Sequence, residues 1–175
     1  MERQVVVTTR AVNARLVPVG TPMTIPADTF VTLTQSLGGN YTVVYHGNMA
    51  RIDGTDADAL GFEPEKLIFT PVTGPDVDEA QVWQALATIF DPEIPVSLVA
   101  LGLIYKVSTQ GQTVLIDMTL TAPGCGMGPV LVDDVKYRVA LVPNVQQVEV
   151  NLVFDPPWHR DMMSEEAQLE TGMFS

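Results

Sequence analysis

Residues 119–142 read TLTAPGCGMGPVLVDDVKYRVALV, and the parsing of this run decides the fold. Immediately upstream, TVLIDM places Val114, Ile116, Met118 and then Leu120 on one face, with Asp117 and Thr119 opposite, the period-two pattern of a strand. Beyond the glycines, Pro129 opens PVLVDDVKYRVALV, a helix that proline suits because first-turn amides have no partner inside the helix. VQQVEVNLVF then reads as a further strand. A helix crossing over between two strands predicts an α+β domain.

Working outward, LGLIYKVS is a strand joined to TVLIDMTLT through the turn TQGQ. A linker, FTPVTGPDVDEA, precedes a helix that Asp76 is expected to cap with Glu79 in its first turn. In that helix Val82, Leu86, Ile89 and Phe90 form one apolar stripe, and Asp91-Pro92 is expected to end it. DPPWHRDMM reads as a loop, after which Ser164 caps a terminal helix carrying Glu165 and Glu166 in its first turn. Residues 73–175 are thus predicted as a helix-strand-strand-helix-strand-helix α+β domain. Residues 1–72 hold QVVVTT, ARLVPV, TFVTLTQSL and YTVVYH, strand-like segments with a hairpin turn at LGGNY. They predict a small β-rich, barrel-like module in which His46 and Asp53 are structural or solvated.

Hydrophobic residues make up 46% of the chain, enough for a real core. The formal charge of −12 lies entirely beyond residue 50, since Arg3, Arg10 and Arg15 outnumber Glu2 and Asp28 before it. So acidic a surface repels phosphate backbones, so nucleic acid is excluded as a partner. No stretch approaches the roughly 18 apolar residues of a membrane helix, and the run after Met1 is too short for a signal-peptide core. A single cysteine makes no internal disulfide. The cytoplasm is the expected compartment.

That cysteine, Cys125, lies in the glycine loop before the crossover helix. A helix start carries unpaired amides and partial positive charge, which favours the thiolate, the form that attacks electrophiles and binds metals. Gly124, Gly126 and Gly128 would let backbone amides turn toward a bound anion or sulfur. The competing reading is a small buried hydrophobe. One thiol does not complete an iron or zinc site, which needs about four ligands. The remainder would come from a second subunit, from carboxylates such as Asp91 and Glu93, from His159, or from another protein. A Cys–His couple has no support from spacing. Trp158, Met162 and Met163 near the C-terminus either pack the last helix or form an apolar strip that docks a partner.

Three blocks, DPEIPVSLVALGLIY, MTLTAPGCGMGPVLVDDVK and DPPWHRDMMSEEAQLETGMF, resemble the signatures of the iron–sulfur cluster assembly-type (PaaD-like) domain family. The resemblance covers roughly residues 76 to 174. It implies a non-enzymatic accessory factor in iron–sulfur cluster assembly by the SUF system, one that helps deliver or insert clusters. It also implies an iron–sulfur cluster or iron held transiently, with assembly machinery and client apo-proteins as partners. Position by position it assigns the reactive cysteine to Cys125, the acidic pair to Asp91 and Glu93, the Thr-x-Thr to Thr119 and Thr121, and the late tryptophan to Trp158. One departure is Ala100, where the family pattern has an acid. Cys125 is then the expected iron or cluster contact. Asp91, Glu93, Thr119, Thr121, Gly124 and Gly126 would line the pocket, and Trp158 and Met162 would dock a partner. A cluster shared by two thiols would require a homo-oligomer. The alternatives are a metal-free interaction adaptor and a thiol-dependent enzyme or oxygenase accessory with His159 as base.

Overall fold

In the computed structural model, which describes residues 3–18, 20–37, 39–91, 96–121 and 128–171, the chain divides into two units, Met1–Leu67 and Ile68–Ser175. The first is an antiparallel sheet built from β1 (Gln4–Val7), β2 (Val12–Leu16), β3 (Pro22–Ile25), β4 (Phe30–Leu37), β5 (Asn40–Tyr45) and β6 (Asn48–Asp53), in the order β1-β4-β5-β6-β2-β3. Alternation carries Val12, Ala14, Val31, Leu33, Val43, Ala50 and Ile52 into one core.

The hairpin expected at LGGNY is present: Leu37 pairs with Asn40, and Gly39 takes φ 81°. Two strands escape the sequence reading. β3 is four residues long and starts on proline, and β6 carries Arg51 and Asp53. These polar residues fit because the second face of the sheet is covered as well. Arg15 pairs in register with Arg51, both are buried, and Arg15 Nη2 donates to Asn40 Oδ1 at 3.2 Å. His46 (φ 50°) and Gly47 (φ 78°) form the two-residue turn that reverses β5 into β6. Asp53, buried, caps a 3-10 segment (Gly54–Leu60) by accepting from the Thr55 amide and hydroxyl.

The second unit contains α1 (Glu79–Leu86), β7 (Ile104–Gln110), β8 (Thr113–Met118), α2 (Gly128–Val139), β9 (Gln147–Leu152) and α3 (Glu165–Thr171). The sheet order is β7-β8-β9. β7 and β8 form a hairpin, and β9 lies parallel to β8 after the α2 crossover. Val82, Leu86, Val107, Val114, Ile116, Met118, Leu131 and Val135 share its core. Ser164 Oγ accepts from the Ala167 amide at 3.1 Å, the expected cap of α3.

The first helix differs from expectation at both ends. Asp78, not Asp76, caps it, accepting from the Ala80 amide at 2.9 Å. It closes at Leu86, well before Asp91-Pro92, because Thr88 turns back on it. The Thr88 hydroxyl donates to the Ala85 carbonyl at 2.6 Å, and the Thr88 and Ile89 amides bond to residues three back, tightening the end into a 3-10 turn. Ile89 still reaches the core, while Phe90 is exposed and bridges Ser97.

In the first unit Arg10 grips Asp58 through two 2.8 Å bonds and reaches Asp56 at 3.1 Å. Its hydrogen bond holds the Asp58 carboxyl below its ordinary range and, reciprocally, raises the guanidinium. A depressed carboxylate stabilises the fold above its unfolded pKa, and that stabilisation is lost as pH falls through the folded value. Arg10 stays charged throughout this range. Both side chains are more than 40% exposed, so the effect is small. Asp58→Asn is expected to lower the denaturation midpoint of this unit at neutral pH, with the gap closing below about pH 3.9. Urea titrations of both proteins at several pH values measure it.

Candidate functional site

The C-terminal ends of β8 and β9, the start of β7 and the start of α2 all lie at one end of the second unit's sheet, as the parallel and antiparallel registers require. In α/β structures such an end, where strands finish and a crossover helix begins, is where ligands gather. Three backbone hydrogen bonds stitch other segments to it. The Leu98 amide donates to the Ile89 carbonyl at 2.8 Å, Leu103 to Leu98 at 3.0 Å, and Thr119 to Leu103 at 2.8 Å. The stretch carrying Asp91 is folded back on itself by an Asp91 amide to Val96 carbonyl bond at 3.2 Å and the Phe90–Ser97 bridge. Asp91, half-buried, follows two residues after Ile89, where this series of bonds ends.

Thr119 and Thr121 have different environments. Thr119 is fully buried despite lying on the strand face opposite Val114, Ile116 and Met118, and its hydroxyl sits 3.5 Å from the Leu120 carbonyl. Thr121 is exposed where the chain leaves the strand. Glu93, Gly124, Cys125 and Gly126 lie outside the described residues. Both flanks of the cysteine loop are described. Leu120 is buried, and a Cβ added to Gly128 would come 2.9 Å from Leu120 Cδ1, so glycine at 128 lets the two flanks close on each other.

The C-terminal segment 155–164 straps across the turn that precedes β7. Trp158 Nε1 donates to the Leu101 carbonyl at 2.8 Å, the Tyr105 hydroxyl to the Pro156 carbonyl at 2.8 Å, and the Ser164 amide to the Ala100 carbonyl at 2.8 Å. Met163 is buried, and Trp158 is half-buried against the core. Met162 is exposed, with its sulfur 3.5 Å from the Tyr105 hydroxyl. Ala100 packs its methyl against the same core, so this position is part of an apolar wall. Gly102 at φ 77° lies directly under the Met162 carbonyl, with no room for a Cβ.

Arg138 of α2 is fully buried and donates to the Thr88 hydroxyl at 3.0 Å and the Thr88 carbonyl at 3.2 Å. It ties the crossover helix to the foot of the Asp91 segment. Sequence reading passed over both Arg138 and Gly102. The signal for Gly102 was a lone glycine inside LGLIY. For Arg138 it was an arginine on the apolar side of its helix, beside buried Val135 and Val139. His159 Nδ1 accepts from the Asp161 amide at 3.2 Å and lies 3.3 Å from Asp161 Oδ2, with both side chains about two-thirds exposed. The imidazole is thus engaged locally with Asp161. Among the described residues no three His, Cys, Asp or Glu side chains gather as a metal site would need.

Gly102→Ala is expected to cost about 2–4 kcal/mol, from a left-handed backbone and the collision with Met162. In a Trp83→Phe background, red-shifted Trp158 emission at low denaturant would report release of the strap; unchanged emission and stability would contradict this geometry.

A sequence profile described as iron–sulfur cluster assembly protein matches residues 79–152. Over 86 residues the chain is 46% identical to the Fe-S protein maturation auxiliary factor SufT of Staphylococcus aureus, taking in 49% of this chain and 98% of that one. Over 95 residues it is 45% identical to a Fe-S protein maturation auxiliary factor of Porphyromonas gingivalis, covering 54% of this chain and 90% of the relative. A solved domain of unknown function, DUF59, from Bacillus anthracis superposes with a TM-score of 0.52 at 38% identity, over 55% of this chain and 92% of that one.

Proposed function

We propose, since the chain belongs to the iron–sulfur cluster assembly protein family, that it is an accessory factor in iron–sulfur protein maturation. It helps deliver or insert clusters into client proteins and catalyses no reaction of its own. Iron or the cluster is cargo, met by the Cys125 thiolate and passed on. The observation that carries this reading is the convergence at one sheet end of the Asp91 segment, the Thr119–Thr121 strand end and the start of α2. Cys125 is three residues from Gly128, at most about 11 Å of chain from the helix start. A helix start favours a thiolate and a metal–sulfur contact.

In this reading Thr121 stands at the mouth of the site and buried Thr119 fixes the strand end behind it. Asp91 and Glu93 offer carboxylates from the neighbouring segment, and Gly124 and Gly126 free the loop amides. Ligands beyond one thiol come from a second subunit or from the client, so the complex is transient. Trp158, held by Leu101, and exposed Met162 form part of the surface that meets the client or the assembly machinery. No helix among the described residues is long and apolar enough to cross a membrane, and the working compartment in this proposal is the cytoplasm.

Anaerobic reconstitution of the wild type and Cys125→Ser with iron and sulfide tests the proposal. Cluster absorption and a Mössbauer signature are expected in the wild type and absent from the variant, with a dimer mass where two thiols share the cluster. Iron uptake by neither protein would overturn the thiol contact and leave an adaptor that works through its partners alone.

A further inference from the structure

Leu152, Phe154 and Met162 are 40%, 39% and 37% exposed, although residues of these types ordinarily fill cores. They are not scattered. Leu152 pairs in register with Met118, and Met118 with Ile104, so one row crosses the sheet end. The chain then follows that row. The Val153 amide bonds to the Met118 carbonyl, and Pro156 and Met162 meet Tyr105 at the foot of β7. The hydrogen bonds of Trp158 and Ser164 hold this edge in place with its apolar groups outward. The result is an apolar strip beside the candidate site. β9, from which it starts, is one of the two outer strands of the sheet.

The charges around the strip are one-sided. Exposed Asp155, Asp161, Glu165 and Glu166 lie in the same segment, where Arg160 is the one Lys or Arg in residues 152–166. Two copies meeting through this strip would bring like charges together well inside a Debye length. An anionic lipid or nucleic acid is repelled in the same way. A segment with an apolar centre and Lys or Arg on its flanks satisfies both the strip and its rim. The geometry points to this strip as the docking edge for a cationic, amphipathic segment of a partner protein. That the partner is a client or a component of the assembly machinery rests on the maturation reading above; the chemistry of the strip does not.

The probe is a fluorescein-labelled helical peptide with leucines along one face and lysines on both flanks, with a twin carrying glutamate for lysine. Anisotropy titrations with the full chain are expected to show binding of the lysine peptide alone, weakening at least about tenfold between low and high salt. Phe154→Ser with Met162→Ser is expected to weaken binding about tenfold, or roughly 1.4 kcal/mol. Phe30→Ser, an exposed aromatic of the first unit, leaves it unchanged. Circular dichroism confirms that the variants fold.

Equal binding of the glutamate twin, no binding of either peptide, or full affinity in the double variant overturns the inference. So does wild-type self-association that the double variant abolishes, because the occupant would then be a second copy. Cys125→Ser separates the two proposals: peptide binding kept while iron uptake is lost supports both. Wild-type iron uptake in Cys125→Ser sinks the thiol reading and leaves the docking edge standing.

Discussion

The site end of the second unit depends on three amides finding three carbonyls: Leu98 to Ile89, Leu103 to Leu98, and Thr119 to Leu103. Every residue in this series is buried, so an unmade bond would leave a polar group without water, costing about 1–3 kcal/mol. The same residues supply core side chains, Ile89, Leu98 and Leu103 among them. Hydrophobic burial and backbone pairing therefore constrain one another. The apolar groups pull the Asp91 segment and the turn at residues 98–103 inward, and inward placement is tolerable only because the amides pair. The segment that carries Asp91 is held to this end of the sheet through Ile89 as a by-product of satisfying that interior.

A second constraint crosses a much longer stretch of chain. Trp158 donates to Leu101 and Tyr105 to Pro156, contacts spanning 57 and 51 residues. This couples the LGLIY block to the PPW block, for neither is satisfied without the other. Gly102 sets the distance of approach, since any side chain there would lift the strap off the turn. The indole is thus an anchor on its N–H side and a half-exposed surface on the other. A tryptophan can serve both ends because it has one polar handle on a large apolar body.

The periodic parts of the chain were legible. The alternation of Val114, Ile116 and Met118 and the proline-started α2 gave the crossover and its strands where the structure has them. Errors fell where tertiary context overrides local pattern. Asp76 and Asp78 both precede Glu79, and spacing alone does not choose between them. β6 was missed because Arg51 and Asp53 look like loop residues unless the second face of the sheet is known to be covered. Thr119 obeys strand alternation and is still buried, because the Leu103 carbonyl sits on its amide. Long-range neighbours were not readable: nothing in the sequence announces that Arg138 reaches Thr88, 50 residues away.

The glycines of TLTAPGCGMG can now be told apart. Gly128 is buried at the first position of α2, where a methyl group would press on Leu120. Close packing between strand end and helix start is sufficient reason for glycine there, with no ligand involved. Gly128 therefore has a packing role of its own, apart from any amide it frees for an anion or sulfur. Packing at 128 also does something an amide cradle does not: it closes the base of the loop. With Leu120 and Gly128 in contact, the segment between them begins and ends on the rigid core rather than on mobile chain. Any reading in which the backbone cradles cargo rests on Gly124 and Gly126, and the position of that cradle rests on Gly128.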